Sequence, residues 1–258
     1  MTSRQPLARA QGIVRSLAMY YGPVWRQRRM TAFYRQFLRP GDLAFDIGAH
    51  VGDRVRAFRQ IGAQVVAVEP QPDLAALLRL LYGRDPGVTI EACGVAAAPG
   101  EGRLHLSTRT PTVSTLATLW MSDVQADKRF RAIRWDSEIA VPLVTLDDLV
   151  ARHGEPQFCK IDVEGFEQEV LTGLCRPLAA LSFEYIPVAA DRAIACVERI
   201  RALGDYRYRY SRIETMRWAT PAWMDAGAMT ATLRSLPLTD RSGDVYAVRA
   251  DLSAGTSF

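Results

Sequence analysis

A chain of 258 residues with 48% hydrophobic and 23% charged side chains is long enough for one large α/β domain or two small ones, and too apolar to be disordered. Its formal charge of +4 and pI near 9.0 are mild, and much of that charge falls in the first 40 residues, so no nucleic-acid groove is implied. Four cysteines without a CxxC pair, no run approaching 18 apolar residues and no uninterrupted apolar leader argue against a disulfide framework, a zinc site, a transmembrane segment and a signal peptide, and point to a reduced, cytoplasmic protein.

In chain order, residues 1–38 read as one or two helices rich in arginine and aromatics, interrupted at Gly22-Pro23. A helical cap on the main domain is the expectation, because the proline breaks the apolar stripe and the aromatics are not confined to one face. The alternative is a basic amphipathic segment making peripheral contact with an anionic membrane surface. From residue 40 onward, short apolar runs at 43–47, 64–69, 88–93, 157–162 and 180–185 alternate with helical stretches at 54–61, 73–82, 146–153, 166–174 and 189–203. That rhythm predicts a parallel sheet wound by crossover helices, with both faces covered. Late strands at 206–212 and 244–249, around a Trp- and Met-rich interval, predict an antiparallel final pair. The division expected is a cap, 1–38, on one domain, 39–258, carrying insertions at 107–140 and 213–236.

The stretch "LAFDIGAHVGDRV" ends an apolar strand at Asp46, passes through Gly48, Ala49, His50 and Gly52, and resumes as a helix. This puts a tight turn at the carboxyl edge of the sheet, where such sheets bind ligands, with glycines for close approach and free N–H donors at the helix start. A dinucleotide fingerprint would need glycines where His50 and Asp53 stand, which speaks against a pyrophosphate and an NAD-dependent oxidoreductase. Glu69, followed by Pro70, closes the second strand about 20 residues after the turn, the usual place for a carboxylate gripping ribose hydroxyls. The bland alternative is a helix-initiating acid, a role Asp73 fills better. Asp46, Gly48, Gly52 and Glu69 together read as an S-adenosylmethionine pocket.

Further on, Lys160 and Asp162 alternate onto one face of a strand, with Asp162 at its carboxyl end. Only Lys128 and Lys160 are lysines among 32 basic residues, and a lysine inside an apolar strand needs a carboxylate partner. The pair can serve the site, with Asp162 or Glu164 orienting an acceptor hydroxyl or taking its proton. The bland alternative is a structural tie from Lys160 to Asp162 or Glu184. Glu184, ending the next strand, completes an acidic rim, but no spacing fixes octahedral oxygen ligands, so no metal is assigned. The two insertions offer Ser114, Thr115, Trp120 and Trp135, and Trp218 and Trp223, toward an acceptor, with core packing the stronger expectation for any single aromatic.

The pattern "FDIGAHVGD", "VVAVEPQPD", "CGVAAAPGEGRLHL", "VTLDDLV" and "FCKIDVEGFEQEVLTGL" resembles the FkbM family of S-adenosylmethionine-dependent methyltransferases. His50 departs from the pattern, where the family commonly has Asn. The resemblance implies an α/β, Rossmann-like class I methyltransferase fold, a seven-stranded, mostly parallel sheet with an antiparallel last strand. It implies S-adenosylmethionine as cofactor and O-methylation of a hydroxyl on a saccharide or secondary metabolite, with Cys93 and Gly94 near the adenine by their place in that fold. The partner expected is a small-molecule or saccharide acceptor. The rival is a binding or scaffold protein that keeps the fold and has lost chemistry.

Overall fold

The computed structural model describes residues 4–22, 24–107, 110–125 and 132–253. Pro23, Lys128 and parts of the expected first insertion lie outside the described residues. Two helices open the chain, α1 (Arg4–Tyr21) and α2 (Val24–Tyr34). There follow β1 (Leu43–Ile47), α3 (Asp53–Ile61), β2 (Gln64–Val68), α4 (Pro72–Tyr82) and β3 (Val88–Glu91). A small sheet comes next, β4 (Gly94–Val95), β5 (Gly100–Leu106) and β6 (Ser137–Val144), with α5 (Thr118–Gln125) inside its long connection. The second half holds α6 (Leu146–His153), β7 (Phe158–Ile161), α7 (Glu167–Thr172), β8 (Ala180–Tyr185), α8 (Ala190–Leu203), β9 (Tyr206–Arg212), α9 (Ala226–Ser235), β10 (Gly243–Arg249) and α10 (Ala250–Ser253).

The main sheet has seven strands in the order β3-β2-β1-β7-β8-β10-β9. Neighbours are parallel except at β10, which runs antiparallel to both β8 and β9. The sheet is Rossmann-like, mostly parallel with antiparallel pairing at its last strand. Strand order reverses at β1, between β2 and β7, so a crevice opens beyond the carboxyl ends of β1 and β7.

Alternation along the strands divides the core. Phe45 and Ile47 of β1, with Cys159 and Ile161 of β7, pack beneath α6 to α9. Ala44 and Phe158 face α2 and α3, in an aromatic layer with Phe33, Tyr34, Phe58 and Tyr246. On that second face Asp46, Lys160 and Ser182 stand in one register row, and all are buried.

The 213–236 stretch is not all loop. Its second half is α9, whose Met229 and Leu233 are buried in the first core. Trp218 and Trp223 pack on the opposite face, against Phe33, Phe37 and Tyr246 and under the Arg209 guanidinium. Both tryptophans thus pack on the core, the stronger expectation for any single aromatic. Trp120 is likewise buried, its ring filling the space that a side chain at Gly165 would need.

Candidate active site

The turn after β1 is held from both sides. Gly48 and Ala49 donate their N–H groups to the Val68 carbonyl, at 2.9 and 3.0 Å, and Asp162 donates to the Ile47 carbonyl at 2.9 Å. A Cβ on Gly48 would sit 1.8 Å from the Asp162 carbonyl oxygen, and the residue has φ +84°, so only glycine permits the two loops to touch. The N–H groups of Gly48 and Ala49 are spent on β2, and that of His50 goes to Glu69.

Glu69 is buried, and its two carboxylate oxygens each accept one backbone N–H, from His50 and from Gln71, both at 2.8 Å. Burial pushes its pKa up to about 7 in spite of those bonds. His50, at φ +49°, sets its ring edge-on to Tyr20 of α1 with centroids 5.6 Å apart. Burial lowers its pKa to about 4, so the imidazole is neutral, and its Nε2 is buried without a protein partner.

These groups line a cleft with about 800 Å³ between its walls, part of it open to solvent. Of the predicted residues, Gly48, His50, Glu69, Pro70, Cys93, Gly94, Asp162 and Glu164 line it. Val95, Leu104 and Leu116 add an apolar wall beside Cys93, whose thiol burial pushes up to about 11. Ser114 and Thr115 of the first insertion also reach the cleft, and the Thr115 hydroxyl donates to the Glu164 carbonyl at 2.7 Å.

Asp46, Ala49, Gly52 and Lys160 stand behind the lining, all buried. Neither carboxylate oxygen of Asp46 has a hydrogen-bond partner, and burial pushes its pKa up to about 7. Lys160 is fully buried and donates to Asp244 Oδ1 at 2.8 Å, while its Nζ lies 3.3 Å from Asp162 Oδ2. No ion pair joins it to Glu184. Burial alone would raise the Asp162 pKa, but Lys160 and Arg54 outweigh it and hold the carboxylate below its ordinary range.

Glu184 faces a smaller cavity beside Trp120, Gly165 and Glu167, yet its carboxylate meets the others: oxygens of Asp162, Glu164 and Glu184 lie within 4.8 Å of one another. Burial, then mutual repulsion, pushes the pKa of Glu164 and Glu184 well above the ordinary carboxylate range. Such a trio can hold a proton, or a divalent cation. The loop that carries Glu164 is fixed by Glu167, which accepts the N–H groups of Val163 and Gly165 at 3.1 and 3.2 Å.

Three cleft residues were not foreseen. Arg54, at the start of α3, sends Nη2 to Glu214 Oε1 at 2.9 Å and lies 3.5 Å from Asp162 Oδ2. Glu214, in the turn after β9, also pairs with Arg26 of α2. Tyr20 belongs to the helical segment ahead of the sheet.

Residues 46–210 match the family profile described as the methyltransferase FkbM domain. The chain belongs to that family. As an FkbM methyltransferase it is S-adenosylmethionine-dependent, in keeping with the acidic, phosphate-averse turn. Among solved structures it is similar to a precorrin-6y C5,15-methyltransferase from Geobacter metallireducens, with 10% identity, 87% of each chain covered and a TM-score of 0.46. It is also similar to an O-methyltransferase from Bacillus cereus in complex with SAH, with 12% identity, 93% of this chain and 90% of that one covered, and a TM-score of 0.40. The C-terminal domain of the Rhodobacter capsulatus precorrin-6Y C5,15-methyltransferase gives 12% identity, coverage of 84% and 85%, and a TM-score of 0.39. No curated protein sequence matches this FkbM methyltransferase.

Proposed function

We propose that the cleft transfers a methyl group to a hydroxyl of a saccharide or secondary metabolite. The observation that carries this reading is that one cavity joins Glu69, fixed by two backbone N–H groups, to the Asp162 and Glu164 wall. The residues fit S-adenosylmethionine: an oriented carboxylate for the ribose hydroxyls, an apolar wall by Cys93, Gly94 and Val95 for the adenine, and the His50 Nε2 left without a partner. When bound, the cofactor would supply a sulfonium methyl group to the acceptor oxygen, with S-adenosylhomocysteine leaving as the neutral thioether.

The protein's part is positioning and proton management. Asp162, kept ionised by Lys160 and Arg54, accepts a hydrogen bond from a neighbouring hydroxyl of the acceptor and so aims the reacting oxygen. Glu164, with its raised proton affinity, takes the proton as the new C–O bond forms, and Glu184 shares it. Lys160 touches no reacting atom in this scheme and serves as a positioning residue for Asp162. Gly48 lines the turn, and Asp46, Ala49 and Gly52 shape it from behind. We further propose that 1–38 is a helical cap on a methyltransferase domain, 39–258, and that the protein works in the cytoplasm, its four cysteines being free thiols. No helix among the described residues is long and apolar enough to cross a membrane.

Calorimetric titration with S-adenosylhomocysteine, run beside NAD, tests the pocket. Micromolar binding of the first alone supports it, and transfer of labelled methyl to hydroxylated saccharides then tests the acceptor class. Binding of NAD alone, or of neither, overturns the reading.

A further inference from the structure

The first 41 residues hold eight arginines and no acidic residue, and without them the rest of the chain has 24 basic against 28 acidic residues. The net positive charge of the protein therefore resides entirely in α1, α2 and the turn that follows. Two of these arginines are used internally, Arg9 with Asp73 and Arg26 with Glu214. Arg15, Arg28, Arg29 and Arg35 are exposed.

The same segment carries exposed apolar bulk. Val14, Met19, Val24 and Trp25 are the exposed large apolar residues of α1 and α2, with Val24 at 61% and Trp25 at 63%. Two more, Leu80 and Leu81, occupy the last turn of α4, which the 2.6 Å contact between the Tyr82 and Tyr21 hydroxyls brings beside the end of α1. Ile213 and Leu238 complete the exposed set among the described residues. Met19, Val24 and Trp25 thus flank the α1–α2 junction, with Leu80 and Leu81 in the helix that meets the end of α1 and Val14 about two turns earlier in α1, where solvent alone would favour polar side chains. Arg29 lies over the Trp25 ring at 5.2 Å, so cation and aromatic share one surface.

We propose that this corner docks on an anionic lipid bilayer. Valine, methionine and tryptophan enter the boundary between headgroups and acyl chains, and the arginines hold the anionic headgroups around them. A nucleic acid would satisfy the arginines and leave the apolar residues in water, which is why the bilayer is the better fit. The docked surface includes Met19, the neighbour of cleft-lining Tyr20. The cleft then sits beside the membrane without any segment crossing it.

Sedimentation of the full chain with vesicles of phosphatidylcholine, alone or mixed with phosphatidylglycerol, tests the proposal. The protein is expected to pellet with the mixed vesicles only and to be released by salt. Arg28→Gln with Arg29→Gln should weaken binding about tenfold or more, given the usual attraction of a basic side chain to such a surface. Val24→Ser with Trp25→Ser should weaken it independently of salt. All four positions are exposed and outside the cleft, so S-adenosylhomocysteine titration serves as the check that each variant is folded. The proposal is overturned if the wild type fails to pellet with mixed vesicles, if both variants bind as the wild type does, or if the protein binds transfer RNA and ignores the vesicles.

Discussion

Lys160 Nζ lies 2.8 Å from Asp244 Oδ1, although 84 positions separate the two residues and β8 runs between their strands. Ser182 stands beside Lys160 in register, and its short side chain leaves room for the lysine to cross to β10. The contact ties the antiparallel strand to the centre of the sheet, and it also supplies the charge that steadies Asp162 above it.

Breaking that pair from one side should be costly. Lys160→Met leaves Asp244 buried without its cation, and a loss of about 3–5 kcal/mol is expected in urea unfolding. Adding Asp244→Leu removes the stranded charge and should restore much of the stability. If the double variant is no more stable than the single one, the pair is not what Lys160 contributes.

The turn at Asp46 and the carboxylate at Glu69 were legible because each depends on a short stretch of chain: an apolar run, its end, and small residues after it. Asp162 and Glu164 were legible for the same reason. Asp244 was not, since nothing in "DVYAVR" distinguishes its aspartate until β10 is known to lie beside β8. Arg54 sat in view next to Asp53, but its partner Glu214 is 160 positions away. Trp218 and Trp223 were assigned by their place in an insertion, and chain position does not say which sheet face an insertion covers. Tyr20 reaches the cleft only because its neighbour Tyr21 is clasped, its hydroxyl donating to the Val51 carbonyl at 2.9 Å.

Asp46 gives a pH prediction. Burial raises its pKa from 3.8 to about 7, with Asp53 and Asp162 adding to the shift and Arg54 and Lys160 opposing it. The folded state therefore holds this proton more tightly than the unfolded chain. As pH climbs from about 4 through about 7, ionisation works against the fold, and stability is lost across that window. Asp46→Asn has no such titration, so it should gain on the wild type over the same range, on the order of 2 kcal/mol. Melting temperatures of the two proteins measured against pH check this; parallel curves would exclude it.

Glu69 makes the matching prediction for ligand affinity. Ribose hydroxyls donate best to an ionised carboxylate, and burial pushes the pKa of this one up to about 7. Affinity for S-adenosylhomocysteine should rise with pH through that value and then level off. Glu69→Ala should lose at least about tenfold in affinity, the worth of one charge-assisted hydrogen bond, and should flatten the pH dependence. A steep dependence that survives the substitution would assign the titration to another group.

The proposed division of labour between Asp162 and Glu164 would separate orientation from proton transfer. Asp162 is held ionised by two cations and is too weak a base to gain by taking a proton. Glu164 is pushed the other way, by burial first and then by Glu184 and Asp162, and a base with raised proton affinity is the better acceptor. Glu164→Gln should therefore lower kcat about a hundredfold or more, within the usual range for general base catalysis, and abolish the rise of kcat with pH. Asp162→Asn should lower kcat while leaving that pH profile in shape, and should change S-adenosylhomocysteine affinity less than turnover. Steady-state kinetics with one methylatable acceptor, measured across pH for both variants, decides between them. Retention of the pH limb in Glu164→Gln, with its loss in Asp162→Asn, would exchange the two roles.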